Sequence, residues 1–270
     1  MIRLCVMMLG LFCTAQLFAA APVTGRDQHM LFSRAAVQSE AAQAYHLETA
    51  RLSGLRELDN DAQALSRVRH LCSRLIAQAI RLKPVAANWP WEVHITSDPQ
   101  VAAYSMGGGK LLVGTHFIKN YQLSDGELAV ALAHEIGHVI AEHVREQVSA
   151  AARFDTSVPL RSSKVADVIN AMQSDISIYL DLQPLSRLQE MEADDIGIEL
   201  AARAGIPPAA VVSFYAKLAR DDNRQSLFDT HGSSAQRVRF VDSMASYAAP
   251  LYEASRGAGR LPGYRFANVE

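Results

Sequence analysis

The chain has 270 residues, a formal net charge of −2, 49% hydrophobic and 20% charged residues. That length suits one sizeable domain or two small ones, and the composition is that of an ordinary globular protein, not a disordered, collagenous or disulfide-rich one. With 26 basic against 28 acidic side chains, no basic excess speaks for nucleic acid as a partner.

The first segment reads as an address. Arg3 gives a short positive start, residues 4–18 are almost wholly apolar, and Ala19, Ala20 and Ala21 precede Pro22. This order marks a secretory signal peptide, and the apolar run is short for a membrane span. The plainer alternative, a buried first helix, leaves Arg3 and the alanine cluster unexplained. The expectation is a signal peptide over 1–21 and a single domain over 22–270. Of the three cysteines, Cys5 and Cys13 lie in the signal. Cys72 alone remains, so no internal disulfide is expected and a buried, inert thiol is the simplest reading. Lipid attachment at Cys13 is disfavoured by the bulky Phe12 before it.

Residues 33–52 read as an alanine-rich helix. Residues 60–82 read as an amphipathic helix, because Leu65, Val68, Leu71, Cys72, Leu75, Ile76 and Ala79 recur at spacings of three and four, and Pro84 ends it. The period then changes to two. WEVHIT is a strand, and AAYSM and KLLVGT are two more around a glycine turn, the only sheet signal in the chain. From Ser124 onward the chain is helical. Ser124 and Glu127 form a capping box, and the apolar run to Ala141 is interrupted only by Gly137. Residues 153–164 read as a loop and 165–182 as a helix. Another helix starts at Pro184 and Ser186 and stops at Gly205, a short one covers 209–220, and a last begins near Ser234. The expected class is mainly α (α+β), one helical domain with a small three-stranded sheet.

The run ALAHEIGHVIAEH (131–143) carries the chemistry. His134 and His138 are four apart in a helix, so both imidazoles lie on one face, one turn apart, where they can hold a single metal ion. Glu135 is offset from that line and can reach a water at the metal. Two zinc ligands and a general base in this spacing form the HExxH pattern. Core histidines satisfied by backbone carbonyls are the plainer alternative. A catalytic zinc needs a third protein ligand. A third histidine six residues after His138 is missing, since that position is Val144. His143, five after it, points to another face and reads as a supporting or structural residue. Glu142 reads as surface. The acidic run QEMEADD offers a glutamate instead. Glu190 and Asp194 share a face at i,i+4 while Glu192 points away, so Glu190 is the expected third ligand and Asp194 the expected partner of a ligand histidine's other nitrogen. On its own this acidic run would read as a solvated face.

HEIGH followed some fifty residues later by SRLQEMEADDIGIELAARAG resembles zinc metallopeptidase family forty-eight, whose pattern is HExxH and then ExxxD with alanine before the aspartate. Glu190 to Asp194 match it position by position. TGRDQHMLFS (24–33) is similar to the N-terminal signature of secreted bacterial members. AAYSMGGGKLLVGTHFI resembles their edge-strand segment, with Ala102 where asparagine is usual and Gly107 where proline is usual. THGSSAQR resembles their THPxxxxR element, with Gly232 replacing proline. The resemblance spans about residues 24–245, and without appended repeats the chain is similar to the short members.

The resemblance implies a zincin-like metallopeptidase domain, one Zn2+ per chain, and a sheet edge, Ala103, Tyr104, Ser105 and Met106, that takes substrate as an added strand. It implies that His231 and Arg237 lie near the zinc, either stabilising the oxyanion or, for His231, occupying the open zinc position in a latent form. The expected function is zinc-dependent endopeptidase action on unfolded or misfolded envelope proteins in the periplasm, with room for an outer-membrane association. The competing expectation is a chaperone-like binder using the same groove, blocked by His231 or by segment 150–186. Glu135 argues against it, since a pure binder needs no base there. A structural zinc site is disfavoured because such sites are closed by four ligands and rich in cysteine.

Overall fold

The computed structural model describes residues 17–154, 164–220, 234–257 and 262–266. Strands β1 (Leu17–Ala20) and β2 (Asp27–Met30) pair antiparallel. The sequence reading did not anticipate this hairpin, because β1 lies in a segment set aside as signal. Helix α1 (Arg34–Gly54) starts where the Ser33 hydroxyl accepts the Ala36 amide. Helix α2 (Ala62–Leu82) starts where Asp61 accepts that of Ala64. In each case a short polar side chain satisfies an amide that the first turn leaves without a partner. The expected stripe of α2 is buried, Cys72 included, and burial pushes that thiol up to about 12.

After a 3-10 turn (Pro84–Asn88) come β3 (Glu92–Thr96), β4 (Ala103–Met106) and β5 (Lys110–Gly114). The strand order is β3-β5-β4, with β5 parallel to β3 and antiparallel to β4. All five residues of β5 are buried, whereas β4 is half-buried along its length and lies at the sheet edge. A short α3 (Thr115–Asn120) follows.

Helix α4 (Asp125–Ile140) opens with the expected capping box. The Ser124 hydroxyl accepts the Glu127 amide, and the Glu127 carboxylate accepts the Ser124 amide. Apart from its first turn and His138, nearly every residue of α4 is buried, because α2, α7 and α8 surround it and β4 runs beside it. Next come α5 (His143–Phe154), α6 (Val165–Ser174), α7 (Ile176–Arg203), α8 (Pro208–Ala219) and α9 (Ser234–Gly257).

Two expectations change here. The break expected at Pro184 falls at Asp175, whose carboxylate accepts the Ser177 amide and caps α7. Pro184 sits inside α7 on its exposed side, where water can satisfy the carbonyl that proline leaves without a donor. Glu142, expected at the surface, is buried among Arg34, Lys83 and Arg145 at 2.6 to 3.0 Å. Among the described residues, no helix is long and apolar enough to cross a membrane.

Candidate metal centre

Helices α4 and α7 cross at two glycines. A Cβ on Gly137 would stand 2.9 Å from the Ala193 carbonyl, and one on Gly197 would stand 2.8 Å from the His134 amide. No larger residue leaves room for this approach. The interruption that Gly137 makes in the apolar run is therefore what lets α7 lie against the histidines.

The crossing brings His134, His138 and Glu190 together, with one ligand atom from each within 4.8 Å of the others. The two Nε2 atoms are 3.0 Å apart, and each lies 3.4 Å from a Glu190 carboxylate oxygen. Ligand atoms held at about 2.0–2.1 Å from a tetrahedral zinc lie roughly 3.3 Å from one another. The donor set and its spacing therefore fit zinc. Burial, opposed by Glu190, pushes His138 down to about 3, so the ring is neutral and its lone pair is available to a cation.

Each of the two histidines is held from behind. His134 Nδ1 lies 2.9 Å from Asp194 Oδ1, which also accepts the Tyr215 hydroxyl from α8. His138 Nδ1 lies 2.8 Å from His143 Nδ1. The expectation that His143 points elsewhere assumed one continuous helix. Instead α4 stops at Ile140, Glu142 takes a left-handed φ of 57°, and the chain restarts as α5 at His143, beside His138. Such a φ is strained for a non-glycine residue, and the three cations around Glu142 hold it in place.

Three of the four acids of the QEMEADD run go to different partners. Glu190 faces the histidine pair, Asp194 holds His134, and Glu192 meets Thr24, Arg26 and His143. Burial raises Glu192, but His143 3.4 Å away and hydrogen bonds from Arg26 and Thr24 outweigh it and bring the carboxyl down to about 2. Half-buried Asp195 is pushed up by desolvation and by Asp194 and Glu192. Arg26 also bridges to Glu146, which accepts from Gln28 and Gln189. Sequence reasoning missed Thr24, Arg26, Glu146 and Tyr215 as neighbours of the site. Only the likeness of 24–33 to a signature pointed at the first two, and no spacing pointed at the others.

Glu135 is buried on α4, and its carbonyl accepts the Ser105 hydroxyl of β4 at 3.1 Å. The edge strand Ala103–Met106 is thereby tied alongside the helix that carries the histidines. A pocket next to His138 is lined by Val37, Ser105, Met106, Val139 and Val144, with Arg34 among its charged members. His231 lies outside the described residues. Arg237 belongs to α9 by its backbone, and its side chain lies outside the described part. Of segment 150–186, α6 packs on α5, α1 and α7.

Comparison with known proteins agrees with this geometry. The sequence model of Peptidase family M48 matches residues 62–245. The chain is 33% identical to the mitochondrial metalloendopeptidase OMA1 of Arabidopsis thaliana over 56% of its own length, and spans only 31% of that relative. It is 27% identical to metalloprotease LoiP of Escherichia coli over 75% of this chain and 84% of LoiP. It is 31% identical to metalloprotease YcaL of Escherichia coli over 72% of this chain and 78% of YcaL. Carrying the family's match over two thirds of its length and a zinc-compatible donor set within that match, the chain belongs to peptidase family M48, a family of zinc metallopeptidases.

Proposed function

We propose that this chain is a zinc-dependent endopeptidase that cleaves unfolded or damaged proteins of the cell envelope, and that it acts in the periplasm after export by its N-terminal segment. The observation that carries the reading is the convergence of His134, His138 and Glu190 at zinc spacing, with Glu135 on the next residue and a sheet edge alongside. Zinc, when bound there, supplies Lewis acidity to the attacking water and to the scissile carbonyl.

The chain's own residues do the rest. The Glu135 carboxylate takes a proton from the attacking water and delivers it to the leaving amine nitrogen. Extended substrate adds to the outer edge of β4, to which no strand pairs among the described residues. Main-chain hydrogen bonds there tolerate many sequences and require only an extended chain, which favours unfolded substrates. The pocket at His138, Val37 and Met106 takes one substrate side chain. His231 and Arg237 are assigned to the oxyanion by the family resemblance alone.

The test uses purified chain, a zinc assay and a chemically unfolded reporter protein. The parent should hold one zinc and cleave. Glu135→Gln should hold zinc and lose cleavage by about 100-fold or more. Zinc without cleavage by the parent would favour a binding protein that uses the same groove, and absence of zinc would sink the site. Fractionation of expressing cells tests the compartment: a chain found only in the cytoplasm contradicts the periplasmic assignment.

A further inference from the structure

Neutral imidazole carries one proton. A histidine that binds metal through Nε2 must keep that proton on Nδ1. His138 turns Nε2 toward His134 and Glu190 and turns Nδ1 toward His143. Its Nδ1–H can therefore donate only if His143 Nδ1 is the acceptor, which places the proton of His143 on Nε2. That nitrogen faces Glu192 Oε2 at 3.4 Å without a formed hydrogen bond and has no other partner among the described residues, in a ring that is 2% exposed and away from water. Glu192 is in turn fixed by the Thr24 hydroxyl at 2.5 Å and the Arg26 Nε at 2.8 Å.

We propose that His143 is a positioning residue for His138: an imidazole set between a metal ligand and a buried carboxylate, anchored through Glu192 to Thr24 and Arg26 of the N-terminal segment. The row runs His138, His143, Glu192, Arg26. It fixes the tautomer and the ring plane of His138, as a carboxylate does directly for His134. One consequence is that residues 24–26, far from the HExxH run in sequence, form part of the metal centre. The inference rests on the metallopeptidase reading of the site.

The test is zinc affinity by chelator competition on the full chain, together with thermal melting of the metal-stripped protein. His143→Ala should weaken zinc binding about 10- to 100-fold while metal-free melting stays near that of the parent. His143→Asn, whose side-chain oxygen can accept the His138 proton, should recover most of the affinity. A rescue of this kind is not expected of a residue that merely fills space. Glu192→Gln, which keeps shape and removes charge, should give an intermediate loss even if His143→Ala fails to fold. Parent-like zinc affinity in His143→Ala, or a His143→Asn protein no better than His143→Ala, overturns the proposal. A parent that binds no zinc overturns the metallopeptidase reading, and the proposal with it.

Discussion

The two candidate ligand histidines, His134 and His138, sit one turn apart on one helix and are supported in different ways. His134 leans directly on a carboxylate, Asp194, which is held by Tyr215. Both partners come from helices packed against α4 in the main core. His138 leans on an imidazole, and the carboxylate comes one step later, anchored by a cation from the N-terminal segment. The first arrangement is part of the core that folds around α4. The second depends on the break at Glu142 and on the docking of residues 24–28. One metal site can thus be rigid on one side by packing and on the other by a row of buried polar contacts, the kind that is costly when a member is lost.

The comparison breaks most severely at the ligand both sides share. Glu190→Ala should take zinc content from one per chain to near zero at micromolar protein, read by metal analysis after gel filtration. Retention of zinc would refute the third-ligand assignment. Next comes the anchor of the His138 side. Arg26→Ala leaves Glu146 and Glu192 buried without their shared cation, which should cost about 3 kcal/mol. For a domain of this size that lowers the melting temperature by roughly 6–12 °C. A shift below about 2 °C would mean that the N-terminal segment is not coupled to the site.

Acid sharpens the contrast between the two ends of α4. At the far end, burial raises Glu142 but Arg34 and Lys83 outweigh it and hold the carboxyl down to about 2. At the near end, burial raises Glu127 but Lys217, Ser213 and Ser124 hold it down to about 2. A carboxylate whose folded pKa is depressed adds stability above its unfolded value near 4.5, and that stability is lost as pH falls toward 2. The urea midpoint of metal-stripped protein should be flat from pH 7 to 5 and then drop. Glu142 should lose on the order of 1 kcal/mol by pH 4. In Glu142→Gln the midpoint should start lower and fall less, and an unchanged slope would contradict the assignment. The smallest expected effect is on the His134 side. Tyr215→Phe removes one hydrogen bond to Asp194 and should cost about 1 kcal/mol, with zinc weakened less than in His143→Ala. An equal or larger zinc loss would mean that the two supports do not differ in kind.

Much of this was readable without coordinates, where the signal is local. Ser124 and Glu127 announced the start of α4 because a capping box is made within three residues. The four-residue spacing of His134 with His138 and of Glu190 with Asp194 announced shared faces because helix geometry is fixed. Expectations failed where a distant contact overrode a local rule. Pro184 did not break α7 because its side faces solvent and Asp175 caps earlier. Glu142 is buried because Arg34 and Lys83, remote in sequence, come to meet it.

By itself the sequence determined the helical class, the three-strand sheet and two histidines on one helix face, and it pointed to Glu135 and Glu190 as the candidate base and third ligand. All of these follow from periods and spacings within single elements. Only the tertiary structure decided that Gly137 and Gly197 let α4 and α7 touch. The left-handed turn at Glu142 brings His143 to His138, and Arg26 closes the far side of the site. Those choices depend on which surfaces meet between separate elements, from α4 and α7 some sixty residues apart to Arg26 and Glu192 more than 160 apart, and no linear pattern encodes a meeting of that kind.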